Sequence, residues 1–578
     1  MRRNGTLADR ASLVPDQRRS NGELPKPLAA PFGVQSPQTI VSYGQASFNQ
    51  PLPVSPDQAE AYYKRAATLR DEGRFAEALA AFDSAIALKP DHAQAHNGRG
   101  IVLAHLNRID EAVGNFDRAI ALKSDYAEAH NNRALVLQDL GQFEEALVSL
   151  DRAIALQPDN ARARNNRGVV LHALQRDDEA LASHDNAIAL NGGYAEAHYN
   201  RGIVLHEVGR LDDALASFDR AIALKADYAA AHNNRGSVLY DLNRLEEALA
   251  SFDAAIALTG GFAEASVNKS YCLLRMGRLE EGWRLQESRK RTERPVGNRS
   301  FPRPLWSGNE NISGKTVFVH WEQGFGDTLQ FSRYANLLRA RGANVIMSVQ
   351  EPLHRLMSHS MPNIRLLKND AVPTAFDYHC PLMSLPLAFG TTLENVPDTV
   401  PYLFADEERR MTWAPRLRPS VKPRIGLAWS GNAEQRNDSN RSIGLKALAP
   451  VLAIDADWIS LQKEVRDADR ALLGNFRQIS HYGELLNDFA DTAAVIAALD
   501  LVITVDTSVA HLAGAMGKPA WILLPSIADW RWLLDRDDCP WYPTARLFRQ
   551  QVPQAWDGVV AGVVAALTDF VDRRHANS

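Results

Sequence analysis

The residues best suited to chemistry lie at one junction, Leu501-Val-Ile-Thr-Val-Asp506-Thr507-Ser508-Val-Ala-His511-Leu-Ala-Gly-Ala-Met-Gly-Lys-Pro519. The apolar, β-branched run reads as a buried strand that ends at Asp506, with a helix beginning at Thr507 or Ser508. Hydroxyls and unpaired N–H groups at such a helix start form a site for a diphosphate. His511 lies about one helical turn further in, within reach of the same ligand. The same residues also fit an ordinary capped strand–helix junction with Asp506 as N-cap, and spacing alone does not separate the two.

Two further junctions carry polar groups directly after a strand. Arg424-Ile-Gly-Leu-Ala-Trp429 runs into Ser430-Gly431-Asn432 and then a polar loop to Asn440-Arg441-Ser442. Ser430, Gly431 and Asn432 offer backbone and hydroxyl donors, and Arg441 can hold a phosphate bidentately. An exposed polar loop is the alternative. Earlier, Glu322-Gln323-Gly324-Phe325-Gly326-Asp327-Thr328 follows a strand. Gly324 and Gly326 permit close approach of an acceptor, and Asp327 opens a helix over Thr328–Leu338. The third glycine of the dinucleotide fingerprint is absent. The plainer reading of Asp327 is an N-cap. Weaker features are Asp377-Tyr-His379-Cys-Pro381, which ends a strand, and Asp529-Trp530-Arg531-Trp532, whose rings either stack on a ligand or pack on a helix. Asp488 and Asp491 read as caps of the helix leading to Leu499.

The pattern Asp506-Thr507-x-x-x-His511-Leu-Ala-x-Ala-x-Gly-x-Pro519, followed by an apolar strand, resembles the donor-site motif of the lipopolysaccharide heptosyltransferase family. That resemblance implies a GT-B fold of two Rossmann-type lobes and a nucleotide-diphosphate sugar as co-substrate. It implies no obligatory metal and no resident cofactor. It also implies that Asp506, Thr507, Ser508 and His511 face the donor. By the same likeness Asp327 is the catalytic base, taking the proton of the acceptor hydroxyl as it attacks the anomeric carbon. Where the family usually has a lysine in the Ser-Gly-Asn loop, Arg441 is the nearest equivalent here.

The elements that must position these residues divide the chain. Residues 1–56 are rich in Pro, Ser, Gln, Asn and Arg without periodicity, and read as a disordered leader. A period of 34 follows, with starts at Ala59, Ala93, Ala127, Ala161, Ala195 and Ala229 and an altered seventh unit from Ala263. Each unit reads as two amphipathic helices. The first carries a small residue and then Leu (Gly100/Leu103, Ala134/Leu137, Gly168/Leu171). The second carries Ala-x-x-x-Phe (Ala78/Phe82, Ala112/Phe116, Ala214/Phe218), with Leu150 and His184 replacing Phe in two units. In period and pattern this resembles the tetratricopeptide repeat, so 57–294 is expected to form an α superhelix of six repeats plus a capping unit. After a linker at 295–312, short apolar runs alternate with helical stretches. They predict parallel α/β lobes at 313–405 and 424–578, joined by a linker at 406–423, with strands at Thr316–His320, Asn344–Val349, Ile364–Leu367, Arg424–Trp429, Trp458–Leu461, Leu501–Val505 and Ala520–Leu524. The stretch Trp556 to Phe570 reads as a closing helix.

The repeats carry their own signal. Asn132, Asn166, Asn200, Asn234 and Asn268 recur at one position of successive units, although Asn is a mediocre helix former. An amide matches a peptide group in extended conformation. The arm resembles the superhelix of eukaryotic O-GlcNAc transferases, which implies peptide binding along the concave face. Repeat duplication that copied Asn without a binding role is the alternative. Arg99, Arg133, Arg167, Arg201 and Arg235 pair with Asp117, Asp151, Asp185 and Asp219 as structural ion pairs, and His96, His130, His198 and His232 read as packing residues.

Bulk composition sets the remaining bounds. A net charge of −5 argues against a nucleic-acid binder. No apolar run approaches the roughly 20 residues of a membrane span. Met1-Arg2-Arg3 is not followed by a secretory core. Cys272, Cys380 and Cys539 have neither disulfide nor metal-ligand spacing. A cytoplasmic, metal-independent glycosyltransferase acting on a protein or peptide bound by the repeats is the expectation. The alternatives are a scaffold with an inactive sugar-nucleotide domain, and a glycan-directed transferase that uses the repeats for assembly.

Overall fold

The computed structural model describes residues 56–292, 299–417, 419–433 and 438–576. The expected leader, but for its last residue, lies outside the described residues, as do 295–298 of the first linker and 434–437 of the polar loop. The described chain forms two compact bodies that divide between Thr259 and Gly260.

The first body is six helical hairpins, from Pro56–Asp71 with Phe75–Leu88 to Ala229–Asp241 with Leu245–Thr259. The small residue of each first helix is required by the large one of the second. A Cβ on Gly100 would stand 2.7 Å from the Phe116 ring, and one on Gly202 would stand 2.8 Å from Phe218. Within each hairpin one turn residue adopts the left-handed conformation: Gly73, Asn107, Gly141, Gln175, Gly209 and Asn243, with φ from 57° to 80°. The period of 34 is therefore also a period of chain reversal.

Polar ladders run through this body. Arg133 donates to Asp117 of the preceding unit at 2.6 Å and to Ser149 of its own at 2.8 Å. Arg167, Arg201 and Arg235 repeat that double contact, so the expected ion pairs form. The histidines tie down turns: Nε2 of His96, His198 and His232 lies 3.1–3.3 Å from the carbonyl six residues earlier.

The second body begins with the altered hairpin Ala263–Arg275 and Leu279–Gln286. Its Trp283 is buried edge-on against Trp530 at 5.1 Å and donates to the Thr391 carbonyl at 3.2 Å. The basic stretch behind it is partly internal. Arg289 is 1% exposed and binds Glu322, itself fully buried, with Nη2 to Oε2 at 2.9 Å.

Two parallel sheets follow. The first has β1 (Thr316–His320), β2 (Asn344–Val349), β3 (Arg365–Lys368) and β4 (Tyr378–Pro381) in the order β3-β2-β1-β4. The second has β5 (Arg424–Ala428), β6 (Asp457–Ser460), β7 (Ile479–His481), β8 (Leu501–Val505), β9 (Ala520–Leu524) and β10 (Ala545–Arg549) in the order β10-β9-β8-β5-β6-β7. Counted within that sheet the order is 6-5-4-1-2-3, which is doubly wound and reverses direction between β5 and β8. The expected strands fall on or within one residue of β1, β2, β3, β5, β6, β8 and β9, while β7 and β10 were not foreseen. The helix expected over 328–338 is two helices, Phe325–Phe331 and Arg333–Ala340. The segment expected as a linker at 406–423 contains the helix Glu407–Trp413, capped by Asp406 and pinned by Trp413 Nε1 to Asp491 at 3.1 Å. Asp488 caps the Phe489–Ala497 helix as expected, accepting from Ala490 and Asp491 N–H. The closing helix is Asp557–Ala576, whose Val563 and Leu567 pack on the second-sheet core beside Ile503 and Leu523.

Two glycines of the first body test the turn argument with opposite signs. Gly209, at φ 80°, and Gly114, inside the Ile109–Leu122 helix, both have open space around an added methyl. Gly209→Ala lowers stability by about 1 kcal/mol through its left-handed backbone alone. Gly114→Ala raises stability by about 0.5–1 kcal/mol through helix propensity. Urea midpoints of the two variants should move in opposite directions, and equal shifts would refute the conformational account.

Candidate functional site

The carboxyl ends of β5 and β8 flank the point where the second sheet reverses, the position at which open α/β sheets leave a crevice. The chain leaves β5 as Trp429-Ser430-Gly431. Trp429 and Ser430 N–H both donate to Gln462 Oε1 at 3.2 Å, and Gln462 Nε2 donates back to the Ser430 carbonyl at 3.0 Å. This clasp fixes the turn. The Ser430 hydroxyl is buried and has no hydrogen-bond partner among the described residues. Gly431 N–H donates to Ser442 Oγ at 3.0 Å, and Ser442 is held in turn by Asp438 at 2.8 Å. Asn432 is exposed at the edge of the loop.

Arg441 joins the two strand ends. Its Nη1 donates to the Asp506 carbonyl at 3.0 Å, and its guanidinium lies so close over Gly431 that a Cβ there would meet Nη2 at 2.3 Å. A Cβ at 431 would push the guanidinium from this position.

After β8 the cap is Thr507, not Asp506. Thr507 Oγ1 accepts from Val509 N–H at 3.3 Å and opens the Ser508–Ala515 helix. The Asp506 carboxylate is thereby left out of the capping role that its position allowed. Burial, and then the neighbouring Asp529 charge, hold its carboxyl up at about 6 against Arg441 and Arg531. Ser508 is half-buried at the first turn.

His511 faces the first lobe. It is 5% exposed, with Nδ1 3.0 Å from the Tyr542 hydroxyl and its ring stacked on Trp532 at 5.6 Å. A Cβ on Gly326 would stand 2.7 Å from His511 Cδ2, so this glycine has a packing reason of its own. Burial, then Arg531 and Arg333, keep the imidazole neutral well below the usual histidine range. Gly324 is the N-cap of the Phe325–Phe331 helix, and its N–H donates to Asp327 Oδ2 at 2.9 Å. Asp327 is thus not the N-cap of its plainer reading but the third residue of the helix, whose carboxylate reaches back to the N-cap Gly324. Its other oxygen, however, is engaged by Arg531 of the second lobe.

Arg531 is the residue that sequence reasoning undervalued. Its Nη1 binds Asp529 at 2.8 Å and its Nε donates to Gln330 Oε1 at 2.7 Å, while the guanidinium lies 4.3 Å from the Trp530 ring centre. Trp530 and Trp532 are core residues, 2% and 0% exposed, which settles the packing alternative for them. An arginine between two tryptophans, two residues after an aspartate, was the available signal of a buried ion pair. Burial raises the Asp327 carboxyl above the usual carboxylate range, with Arg531 opposing and Asp529 assisting. A second overlooked bolt is Arg333, which donates to the Trp541 carbonyl and the Tyr402 hydroxyl, both at 2.8 Å.

The structure therefore gathers Ser430, Gly431, Arg441, Asp506, Thr507 and Ser508 at one sheet end, and it brings Asp327, Gly326 and His511 to the lobe contact. The asparagine ladder has a structural partner at each described rung of the first body. Asn132, Asn166 and Asn200 donate through Nδ2 to Asn97, Asn131 and Asn165 of the preceding unit at 3.0–3.1 Å, and Asn234 donates to the Tyr199 hydroxyl at 3.1 Å. Asn132, Asn234 and Asn268 are buried, whereas Asn166 and Asn200 stay partly exposed. Among the described residues, no helix is long and apolar enough to cross a membrane.

Comparison with known proteins identifies the repeats. Residues 63–127, 179–229, 199–263 and 233–282 match one tetratricopeptide repeat family, and 137–175 match a second TPR repeat family. The region 63–282 is a run of tetratricopeptide repeats. Protein FlbA of Caulobacter vibrioides is 25% identical over 315 residues, which cover 50% of this chain and 52% of FlbA. The chain thus spans about half the length of the curated relative it matches. Among solved structures, YrrB, described as a TPR protein with an unusual peptide-binding site, is 26% identical, with 32% of this chain and 95% of that one covered and a TM-score of 0.27. A tetratricopeptide repeat protein from Parabacteroides merdae is 17% identical over 42% of this chain and 95% of its own, with a TM-score of 0.36.

The raised Asp506 carboxyl has a thermodynamic signature. Between its unfolded value near 4 and its folded value of about 6, the folded state binds more protons, so this group's contribution falls as pH rises through that window. Asp506→Asn removes the dependence. The variant should be more stable than the parent above pH 6, by on the order of 1–2 kcal/mol, with the gap closing below pH 4. Melting temperatures across pH 4–8 measure it, and a gap that widens on acidification would contradict the assigned direction.

Proposed function

We propose that the second body is a metal-independent glycosyltransferase of GT-B type, and that the repeats carry its protein or peptide acceptor. One observation supports this above the others. At the reversal point of a doubly wound sheet, a Ser430 hydroxyl without a partner among the described residues, the Arg441 cation and the Thr507-capped helix start stand together, a donor set suited to a sugar nucleotide's diphosphate. In the transfer, the acceptor oxygen bonds to the anomeric carbon as the bond from that carbon to the diphosphate breaks. The electron pair leaves with the diphosphate, and the acceptor proton passes to Asp327. Arg441 and the first-turn N–H groups at Ser508 stabilise the departing charge. On the arm, the half-exposed Asn166 and Asn200 each retain an amide hydrogen beyond the one given to the neighbouring unit, and these meet the acceptor's peptide groups.

A second reading, a scaffold that binds sugar nucleotides without turning them over, draws on one feature. Both Asp327 oxygens already have partners, Gly324 N–H and Arg531. The two readings separate on purified protein offered ADP-, UDP-, GDP- and dTDP-sugars. The transferase reading expects one donor to raise the melting temperature and to be hydrolysed or transferred, with turnover falling at least about 100-fold in Asp327→Asn. A donor that binds without turnover establishes the scaffold, and a panel without binding removes both. Asn166→Ala with Asn200→Ala should slow transfer to protein acceptors while donor hydrolysis continues; an unchanged transfer rate would end the ladder's acceptor role.

A further inference from the structure

Arg531 has a planar set of N–H donors, and in this structure that set is filled from both lobes. Gln330 and Asp327 belong to the Phe325–Phe331 helix of the first lobe, while Asp529 lies two residues before Arg531 in the second. Asp529 is itself aimed by its Oδ1, which accepts from Arg531 N–H at 3.0 Å. The Asp529 contact is therefore local to the second lobe, whereas the Asp327 contact joins the two lobes. The next residue, Trp532, stacks on His511 of the Ser508–Ala515 helix, so the guanidinium stands beside the helix whose first turn opens the crevice.

A carboxylate in this position is the simplest mimic of a phosphate oxygen, because both fit the same forked donors. We propose that Arg531 is an exchangeable anion site. In this structure it is occupied by Asp327, and a diphosphate bound at the ends of β5 and β8 takes it over and thereby frees Asp327. The inference rests on the transferase reading and adds a positioning residue to it. Its consequence for chemistry is direct. While Asp327 is paired with a guanidinium its hold on a proton is weakened, and once that cation turns to the diphosphate the buried carboxylate becomes a stronger base. The base is then competent only when a donor is in place, which couples proton removal to donor occupancy.

Pyrophosphate and UDP, titrated calorimetrically into the full chain at pH 7.5, test this through a double-mutant cycle. Asp327→Asn, which removes the competing charge, should tighten pyrophosphate at least about threefold. Arg531→Met should weaken it at least about tenfold, and Arg531→Lys should fall between. In the Arg531→Met background, Asp327→Asn should have no further effect, because the competition needs the arginine. The idea is overturned if Asp327→Asn leaves affinity unchanged, or if it tightens binding equally with and without Arg531, the result of a general charge effect. Should pyrophosphate and UDP fail to bind even the parent, the diphosphate site itself is refuted. Binding to the parent without coupling refutes the exchange alone. Arg531→Lys keeps a cation between the lobes, so the outcome does not hang on Arg531→Met remaining folded.

Discussion

A guanidinium withdrawn from water must be surrounded by acceptors, and Arg531 obtains its acceptors from both α/β lobes. That requirement orders much of what lies around it. The Phe325–Phe331 helix has to approach until Asp327 and Gln330 reach the guanidinium, and at that distance its backbone presses on His511, so residue 326 has no side chain. The Trp530 ring lies against the guanidinium, Trp532 stacks on His511, and Trp283 from the altered hairpin packs edge-on against Trp530. Arg333 repeats the device with neutral acceptors, the Trp541 carbonyl and the Tyr402 hydroxyl. Arg289 repeats it with Glu322 behind the Gly324 loop. Buried ion pairs of this kind add little net stability over a well-packed apolar substitute, yet loss of one partner costs about 3–5 kcal/mol. Their effect here is registry: Arg531 and Arg333 each join the two lobes, and Arg289 joins the altered hairpin to the first lobe.

The repeat body solves a different problem with weaker contacts. Its Arg–Asp–Ser ties are about half exposed on the aspartate side, and each is worth at most about 1 kcal/mol. Their strength is repetition at constant spacing, so that every unit meets its neighbour in the same geometry. The asparagine rungs belong to the same system: an amide at one position donates to the amide one unit back. Where Tyr199 replaces the accepting Asn, the bond persists to its hydroxyl. A stacking contact thus accounts for the recurrence of asparagine in these helices, and any acceptor must use what that contact leaves over at Asn166 and Asn200.

The parts of the fold that repeat or alternate were legible from residue types. The spacing of 34 located the hairpins, and apolar runs bounded by Gly, Pro and polar residues located β1, β2, β8 and β9 to the residue. Strand β7, only Ile479–His481, and β10, with arginines at Arg546 and Arg549, carry too little apolar character to be read as strands, although the sheet pairs both. The helix expected over 328–338 breaks at Ser332, whose hydroxyl turns back to the Leu329 carbonyl, a competition that leaves no periodic trace. The residues at the ends of β5 and β8 were legible because polar residues directly follow an apolar strand, at β8 as a helix start. Arg531 was not, because its partners Asp327 and Gln330 are 204 and 201 positions away. Asp506 and Thr507 show the finer limit, since either could cap and only the backbone turn decided for Thr507.

The charges at the lobe contact bear on how such a site has to work. Asp327, Asp506 and Asp529 surround Arg531, with Arg441 and Arg333 close by, in a poorly solvated place. On the proposed reading a diphosphate would join three carboxylates, and like charges at short range in low dielectric are costly. Two remedies are built in. Asp506 holds its proton up to about pH 6 and so surrenders its charge more readily than a surface aspartate. Asp327 is the one of the three contributed by the first lobe, and on the proposal it gives up its place on Arg531 to the diphosphate. Both remedies act on the same guanidinium. Protonation near β8 and, on the proposed reading, occupancy by a diphosphate are therefore linked through Arg531.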